Sequence, residues 1–491
     1  MKKFTAPLVE AMVKYLQKDI ARFDVPGHKR GKGISNDLVN LLGRKAVEAD
    51  INSLPELDNL NHPTGVIKEA QELMAEAYRA DNAFFMVNGT SSAVHAMLLA
   101  ACDPGEKILL PRNVHKSVIN GIIMSGAIPV FMQPEIDQNL GFATGITFET
   151  AKSAIDRNPD AKAILLLNPT YYGVCSDLKA ISSYAHANDM IVLVDEAHGA
   201  HFAFNDQLPV SSMDAGADLA AVSIHKTGGS LTQSSVVLHQ GDRVPVYRLQ
   251  AMINLIATTS ASYLLMASLD AARKNLVVNG RRMLIKAISL ARHAREEINS
   301  IPGFYAFGRE LIGNPGVYDF DETKLGINVS QLGITGCEIY DMLRLQYDIQ
   351  LELSDVHNVL AVISLGDYEY NVERLIKAFR DISRKTVNLR SITYDHIPCE
   401  NPEAVMTPRE AFYSDKFFVP LEKARGYVIA ESIMAYPPGI PILSPGERIT
   451  GDHINYLKYL KTQKTKLTDM NDPTLENVLV VKTAAFIKEV S

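Results

Sequence analysis

The sequence predicts an α/β protein whose large domain is built on a mostly parallel sheet. Short apolar runs that have the character of buried strands alternate with amphipathic stretches of helical length through the first three hundred residues. This alternation is typical of a parallel sheet with helices on both faces. The chain has 491 residues, 47% of them apolar, so it can form a large core and two or more domains.

The elements of the large domain can be placed in order. Leu8, Met12 and Leu16 form one stripe of a first helix within 5–20. The predicted strands are 84–87, 107–110, 128–132, 162–167, 190–195, 219–223 and 235–239. Helices are predicted from Gly65 to about Arg79, from near Ser92, from His115, and over 148–157, 177–187 and 263–299.

The remainder of the chain has a different pattern. Strands 326–330, 349–353 and 358–363 with helices 336–345 and 369–384 indicate a smaller α/β unit. Beyond it, four prolines and two glycines in Tyr436–Glu447 predict a rigid, extended wall near a site. We therefore divide the chain into an N-terminal segment (1–50), a large domain (51–300), a small α/β domain (301–385) and a C-terminal domain (386–491).

Composition excludes several classes of function. The formal net charge of −7 gives no indication of binding to nucleic acid or to an anionic membrane. The four cysteines are scattered without metal-ligand spacing, so no metal site is expected. We expect reduced thiols in a cytoplasmic protein. The first residues lack the apolar core of a signal peptide, and no apolar run reaches membrane-spanning length, so neither a signal peptide nor a membrane span is expected.

Lys226 is the candidate catalytic residue. It lies in Ser223-Ile-His-Lys-Thr-Gly-Gly-Ser230, where strand 219–223 is expected to give way to a flexible polar loop. Sites in open α/β sheets form outside the carboxyl ends of strands. An amine there is desolvated on one side, which favours its neutral, nucleophilic form. A lone lysine at such a place is more often a solvated loop residue, so the interpretation depends on a partner.

Asp195 supplies that partner. It ends the apolar run that begins at Met190, and a carboxylate on a buried strand terminus needs a cation or several N–H donors. A protonated pyridine nitrogen would be such a cation. A lysine that binds the cofactor and an acid that faces its pyridinium are what a protein contributes to pyridoxal-phosphate chemistry. The pair therefore predicts pyridoxal 5'-phosphate as the cofactor.

Other polar residues follow predicted strands. Thr90, Ser91 and Ser92 come after Asn88-Gly89 at the start of a helix and indicate an anion site for the phosphate, although a plain helix cap is the alternative. His115 begins the next helix and could stack on a cofactor ring or serve only as a cap.

Three regions are weaker candidates for ligand contacts. Glu352 and Asp355 flank a short link between strands, where they would meet a substrate's distal cation or belong to an ordinary polar loop. His28 lies in the basic Pro26–Arg30 stretch, which is either an ordered turn or a solvated loop. The hydroxyl cluster that begins at Thr258 suggests a second phosphate contact or a simple turn.

These motifs, taken together, resemble one family. Ser223-x-His225-Lys226-Thr227 with Thr232-Gln233 resembles the lysine motif of the Orn/Lys/Arg decarboxylases, a fold-type I pyridoxal-phosphate family. Further matches follow in family order: Pro26-Gly-His-Lys29, Asn88-Gly-Thr-Ser91, Pro111-Arg-Asn-x-His-Lys-Ser117, Asp195-x-Ala-His198, Tyr436-Pro-Pro-Gly-Ile-Pro441 and Pro445-Gly-Glu447. The likeness covers nearly the whole chain and is greatest to the short members from Gram-positive bacteria. The resemblance does not include the receiver-like wing of the long members, so their decameric assembly is not expected.

The resemblance implies a fold and residue roles. The large domain would be aspartate-aminotransferase-like, with the cofactor covalent on Lys226, Asp195 at the pyridine nitrogen and His115 stacked on the ring. His198 stands where the long members carry Trp, and Glu352 matches the acid that meets the substrate's far end. The phosphate would be held by Ser91, Ser92, Ser223 and His225, with a hydroxyl from the Thr258 cluster of a neighbouring subunit. Active sites of this fold are shared in a homodimer or a larger homo-oligomer.

The implied activity is decarboxylation of a basic amino acid, with arginine converted to agmatine and carbon dioxide for polyamine synthesis. Lysine and ornithine remain open, because one carboxylate accepts an ammonium or a guanidinium. A fold-type I aminotransferase is the alternative enzyme, with Arg281, Arg282 or Arg409 as candidates to bind the α-carboxylate. A regulatory protein without turnover would need a DNA-binding segment or a lost lysine, and the sequence shows neither.

Overall fold

A computed structural model describes residues 2–386, 402–435, 440–463 and 467–482. The chain forms two compact units, one of Met1–Ala100 with Val192–Ile285 and one of Ala101–Ile191 with Lys286–Ser491. Residues 436–439 of the proline-rich motif lie outside the described residues. The domain boundaries predicted from the sequence stay a prediction.

The described residues contain fifteen α-helices and twenty strands, together with five single-turn 3-10 helices. The helices are α1 Pro7–Leu16, α2 Asn36–Leu42, α3 Arg44–Glu48, α4 Val66–Tyr78, α5 Gly89–Ala101, α6 Lys116–Ser125, α7 Phe148–Arg157, α8 Leu178–Ala187, α9 Ile224–Thr227, α10 Val246–Ile256, α11 Tyr263–Asn299, α12 Gly336–Tyr347, α13 Glu369–Thr386, α14 Pro408–Tyr413 and α15 Gly451–Thr462. The strands are β1 Asn82–Met86, β2 Lys107–Pro111, β3 Ile128–Met132, β4 Ile136–Asp137, β5 Phe142–Ala143, β6 Ala161–Leu167, β7 Val174–Cys175, β8 Ile191–Asp195, β9 Leu219–Val222, β10 Ser235–His239, β11 Tyr305–Ala306, β12 Asp319–Phe320, β13 Lys324–Asn328, β14 Leu353–Ser354, β15 Asn358–Val362, β16 Lys416–Pro420, β17 Ile433–Ala435, β18 Ile440–Leu443, β19 Leu467–Thr468 and β20 Asn477–Val481.

The sheet strands of the first unit follow the order β1-β10-β9-β8. Strands β8 and β9 are parallel, with Asp195 opposite Ala221, whereas β10 is antiparallel to both of its neighbours. Every residue of β8 and β9 is buried, as expected for apolar strands covered on both faces. Because the two strands are parallel and end nearly level, the segments that follow them emerge side by side.

In the second unit, β6, β2 and β3 form a parallel set in that order. A four-stranded antiparallel sheet, β11-β13-β15-β14, shares a core with α12, α13 and the end of α11. A separate apolar cluster joins β16, β20 and α15 in the C-terminal part. The predicted mixed α/β class with a mostly parallel sheet is therefore confirmed.

Several predicted elements differ from those observed. The helix expected near Ser92 begins at Gly89, and the strand expected over 349–353 is only Leu353–Ser354. The strand expected over 326–330 is Lys324–Asn328. It begins two residues earlier because the fully buried Lys324 is neutralised by Asp321 and can start a buried strand. The loop expected directly after β9 begins with the one-turn helix α9.

None of the helices in the described ranges has both the length and the apolar character needed to span a bilayer. The described residues likewise contain no group of three or more His, Cys, Asp or Glu side chains arranged to hold a metal ion.

Candidate active site

Lys226 lies in α9, immediately beyond the carboxyl end of β9. The turn is closed by the Gly228 N–H, which donates to the Ile224 carbonyl at 2.8 Å. A Cβ on Gly228 would approach that carbonyl oxygen to 2.9 Å, so the close turn requires glycine. The lysine therefore projects from a defined helical turn rather than from the flexible loop expected from the sequence, and it is half-buried.

His198 is in direct contact with this lysine. Its Nε2 atom lies 2.9 Å from Lys226 Nζ, and the histidine is 5% exposed. His198 follows β8 and Lys226 follows β9, so the parallel register of these strands brings the two side chains together. An ammonium has only donors, so Nε2 accepts when Lys226 is charged, and the same contact is short enough for proton transfer.

Asp195, the last residue of β8, has a buried carboxylate that a cationic group could neutralise. It is 7% exposed, and its carboxylate accepts the Ala197 N–H at 3.1 Å. Among the described residues this N–H is its one hydrogen-bond partner, which is little compensation for a buried carboxylate. A protonated pyridine nitrogen would complete the pairing, so the residues present fit pyridoxal phosphate.

Several hydroxyl groups of the first unit lie close together near the first turns of α5 and α9. Thr90 Oγ1 is in contact with Ser223 Oγ and lies 2.9 Å from Ser235 Oγ. Ser92 Oγ donates to the Gly89 carbonyl at 2.7 Å, while Ser91 is exposed in the first turn of α5. The first N–H groups of this helix have no partner within the helix and suit an anion.

His225 and His115 have fixed ring orientations. His225 Nδ1 lies 3.0 Å from the Ser234 carbonyl, which can only accept, so this nitrogen carries a proton. In the second unit, His115 caps α6, and its Nδ1 accepts the Ser117 N–H at 3.2 Å. The neutral ring of His115 therefore carries its proton on Nε2. The cap predicted as one alternative for His115 is confirmed, and stacking on a ring stays a prediction.

The two acids of the 351–358 link have different surroundings. Asp355 accepts the N–H groups of His357 and Asn358 at 2.7 Å each and the hydroxyl of Tyr172. Although the residue as a whole is half-buried, burial of its carboxylate raises its pKa. These contacts assign Asp355 to holding the loop. Glu352 is exposed, and its carboxylate has no hydrogen-bond partner among the described residues.

His28 and Thr258 each belong to an ordered turn of the first unit. His28 Nε2 lies 3.1 Å from Asp50 Oδ2, and its Nδ1 accepts the Gly31 N–H at 3.0 Å. The basic stretch is thus ordered rather than a solvated loop. Thr258 is half-buried, and its hydroxyl accepts the Ser260 N–H at 3.2 Å. Their predicted contacts with substrate and phosphate stay predictions.

The sequence reasoning missed two pairings. His201 Nδ1 lies 3.1 Å from Thr227 Oγ1, beside the His198–Lys226 contact. The spacing of His201 three residues after His198 indicates a shared turn, but it does not indicate Thr227 as the partner. In the second unit, Arg112 forms a buried bidentate ion pair with Glu447, which includes a 2.8 Å bond from Nη2 to Oε2. Both residues were recognised in motifs, but no local pattern links positions so distant in the chain.

Comparison with solved structures defines the fold first. Lysine decarboxylase A from Pseudomonas aeruginosa is similar with a TM-score of 0.83 and 21% identity, over 98% of this chain and 81% of the other. Ureidoglycine-glyoxylate aminotransferase from Bacillus subtilis is similar with a TM-score of 0.53 and 15% identity, over 66% and 85%. The fold is that of the fold-type I pyridoxal-phosphate enzymes.

The family follows from the sequence comparisons. Residues 6–371 match the major domain of the Orn/Lys/Arg decarboxylases, and residues 391–470 match their C-terminal domain. The chain is 44% identical to an arginine decarboxylase of Bacillus subtilis (strain 168), over 98% of this chain and 99% of the relative. It is 46% identical to an arginine decarboxylase of Halalkalibacterium halodurans, over 97% of each. The chain belongs to the Orn/Lys/Arg decarboxylase family, which confirms the resemblance.

Proposed function

We propose that the protein is a pyridoxal-phosphate-dependent decarboxylase that converts L-arginine to agmatine and carbon dioxide, a step of polyamine synthesis. The observation that carries the chemistry is the contact of Lys226 with His198. His198 lies three residues after the buried acid Asp195. The observation that carries the substrate is the similarity to arginine decarboxylases over nearly the full length of the chain.

Each residue predicted to contact the cofactor has a role in this proposal. Lys226 would hold the cofactor covalently, Asp195 would face its pyridine nitrogen, and His115 would stack on its ring. Once bound, pyridoxal phosphate accepts the electron pair of the bond that breaks. The phosphate group is held by the hydroxyls of Thr90, Ser91, Ser92 and Ser223 together with His225.

The Lys226–His198 pair handles the proton. After carbon dioxide leaves, a proton must be delivered to Cα, and a positioned acid at hydrogen-bond distance can deliver it. At 2.9 Å, His198 can pass a proton to Lys226 or take one from it, so either residue can serve as the final donor. The Asp195 carboxylate would pair with a protonated pyridine nitrogen, and this pairing would favour the protonated form of the ring.

Glu352 is the residue proposed to bind the distal end of the substrate. Its exposed carboxylate matches the planar guanidinium of arginine by charge and by bidentate geometry. The carboxylate of Asp355 is engaged by Tyr172 and by the loop backbone, so it supports the link that carries Glu352.

A homodimer or larger homo-oligomer with a shared site is also part of the proposal. Helix α2 has no buried residue, even though three of its seven residues are leucines. Leu38, Leu41 and Leu42 are 38%, 79% and 52% exposed. Exposed apolar side chains gathered on one short helix are typical of a surface that another chain covers. Thr258 would then contribute its hydroxyl to the neighbouring subunit's phosphate site.

The deciding experiment is carbon dioxide release from arginine, lysine and ornithine, measured side by side with added pyridoxal phosphate. Preference for arginine supports the proposal. Preference for lysine or ornithine would retain the mechanism and overturn the substrate. Cofactor binding without release from any of the three would favour an aminotransferase, which a keto-acid assay with an amino-group acceptor would then detect.

A further inference from the structure

Two neighbouring hydrogen bonds join the turn after β8 to the helix that carries Lys226. The first is the His198–Lys226 contact of 2.9 Å, and the second is the 3.1 Å contact between His201 Nδ1 and Thr227 Oγ1. His201 is 1% exposed and Thr227 is 4% exposed. A hydrogen bond shielded from water in this way is a stronger constraint than an exposed one.

The register of the sheet explains why the contacts are paired. The Glu196 N–H donates to the Ala221 carbonyl at 3.0 Å, which extends the β8–β9 pairing by one residue. The Gly199 N–H then donates to the Glu196 carbonyl at 3.0 Å, and this folds the following residues into a tight turn. That turn presents His198 and His201 to two successive residues of α9.

Helix α9 by itself holds its lysine weakly. It contains only four residues, Ile224–Thr227, and a lysine side chain has four rotatable bonds. Thr227 is the last residue of the helix and the direct neighbour of Lys226. A fixed Thr227 side chain therefore fixes the end of the turn from which the lysine projects.

We propose that His201 is a positioning residue, which acts through Thr227 to keep Lys226 Nζ within hydrogen-bond reach of His198 Nε2. The inference rests on the proposed function, in which Lys226 binds the cofactor and exchanges a proton with His198. His201 and Thr227 themselves need not touch the substrate in this role.

A matched pair of variants tests the hydrogen bond. Thr227→Val removes the hydroxyl and keeps the shape, whereas Thr227→Ser keeps the hydroxyl. We expect Thr227→Val to lower kcat about 10- to 100-fold with little change in KM, as a slight misplacement of a catalytic group does. Thr227→Ser should retain most of the activity. The double variant Thr227→Val with His201→Leu should be no worse than the more impaired single variant, because both remove the same bond.

Two further readouts separate positioning from mere stability. The pH at which the absorbance of the bound cofactor changes should move in Thr227→Val and in His201→Leu, since the surroundings of the Lys226 amine change. The rate at which cofactor-free protein captures pyridoxal phosphate should fall in the same variants. Ser383→Ala removes a different buried hydroxyl bond, 2.8 Å to the Pro302 carbonyl, and should leave both readouts unchanged.

The outcomes distinguish this inference from the function on which it rests. Thr227→Val and His201→Leu proteins with normal kcat and an unmoved spectral midpoint would overturn the role of His201. The same would follow if they lost only thermal stability, the effect expected of Ser383→Ala. Retention of the covalent cofactor absorbance in Lys226→Ala would instead show that the proposed function is wrong.

Discussion

At the scale of single residues, the proposed chemistry depends on one amine and one carboxylate. Both lie at the carboxyl ends of adjacent parallel strands in the first unit, where backbone geometry leaves side chains facing away from the sheet. Lys226 is half-buried next to His198, and Asp195 is buried with a single N–H donor among the described residues. Each can be tested by one substitution.

Substitution of Lys226 tests the covalent site. Lys226→Ala should abolish both the visible absorbance of covalently held pyridoxal phosphate and the release of carbon dioxide, because no other group occupies the place of the amine. Absorbance spectra of the loaded protein and a carbon dioxide assay measure the two effects. Lys152→Ala, which removes an exposed lysine from α7, serves as the control and should change neither. Turnover in Lys226→Ala near that of the control would refute the assignment.

Substitution of Asp195 tests the electrostatic role. Asp195→Asn should still bind the cofactor but lower kcat by about 100-fold or more, the usual effect of losing one charge aimed at the reacting system. Cofactor titration and steady-state kinetics report the two quantities separately. The exposed Asp242→Asn, in the loop after β10, controls for the loss of one negative charge. Equal kcat values in the two variants would mean that another acid faces the ring.

At the scale of elements, local sequence patterns predicted much of the structure. Helix α11 was predicted over 263–299 and is observed as Tyr263–Asn299. This agreement arises because its apolar periodicity persists over many turns and no proline interrupts it. The strand β13 was misplaced because the charged Lys324 looks unlike a buried residue until its partner Asp321 is known.

The contacts that sequence reasoning missed are all between distant segments. No residue near Arg112 indicates that Glu447 neutralises it, and no residue near Thr227 indicates His201. Such pairings depend on how strands and turns come together in three dimensions, which residue spacing does not encode. The same limit applies to Glu352 and Asp355. Their sequence context predicted the same contact with a substrate cation for both acids, whereas the carboxylate of Asp355 is bound by Tyr172 and by the loop backbone.

The Arg112–Glu447 pair fixes the end of β2 to the turn after β18. Arg112 also donates to the Ile442 carbonyl at 3.0 Å and lies 4.7 Å from the Phe131 ring. Burial and the Arg112 charge together lower the pKa of His453, in α15, to about 4. A dense cluster of buried charge of this kind tolerates the loss of one partner poorly.

Removal of one partner of this pair should therefore be costly. We expect Arg112→Met to lower the free energy of unfolding by about 3–5 kcal/mol, because Glu447 would remain buried without a counter-charge. Urea denaturation followed by circular dichroism measures the change. Replacement of both residues, Arg112→Met with Glu447→Met, should recover most of the loss. The exposed pair Arg344–Asp341 supplies the control, since Arg344→Met should cost less than about 1 kcal/mol. Similar losses for the two arginine variants would contradict the role assigned to the buried pair.

At the scale of the whole molecule, the first unit leaves apolar surface unexplained by its own packing. Phe23 is 96% exposed, and helix α2 buries none of its residues. The proposed homo-oligomer accounts for these side chains, since the same faces of two copies would cover each other. This is a property of the assembled protein that the sequence of a single chain indicates only through family resemblance.

Charged substitutions on helix α2 test whether this surface is an interface. Leu41→Glu with Leu42→Glu should shift the protein toward a monomer, because two carboxylates on α2 would oppose burial of the helix against a second copy. Size-exclusion chromatography with light scattering measures the mass, and carbon dioxide release should fall with it if the phosphate site needs Thr258 of a neighbouring subunit. Asn40→Glu adds a charge to the same exposed helix without removing apolar surface, and it should alter mass and activity less. An unchanged mass in the double variant would place the interface elsewhere, whereas a monomer with full activity would show that each chain completes its own site.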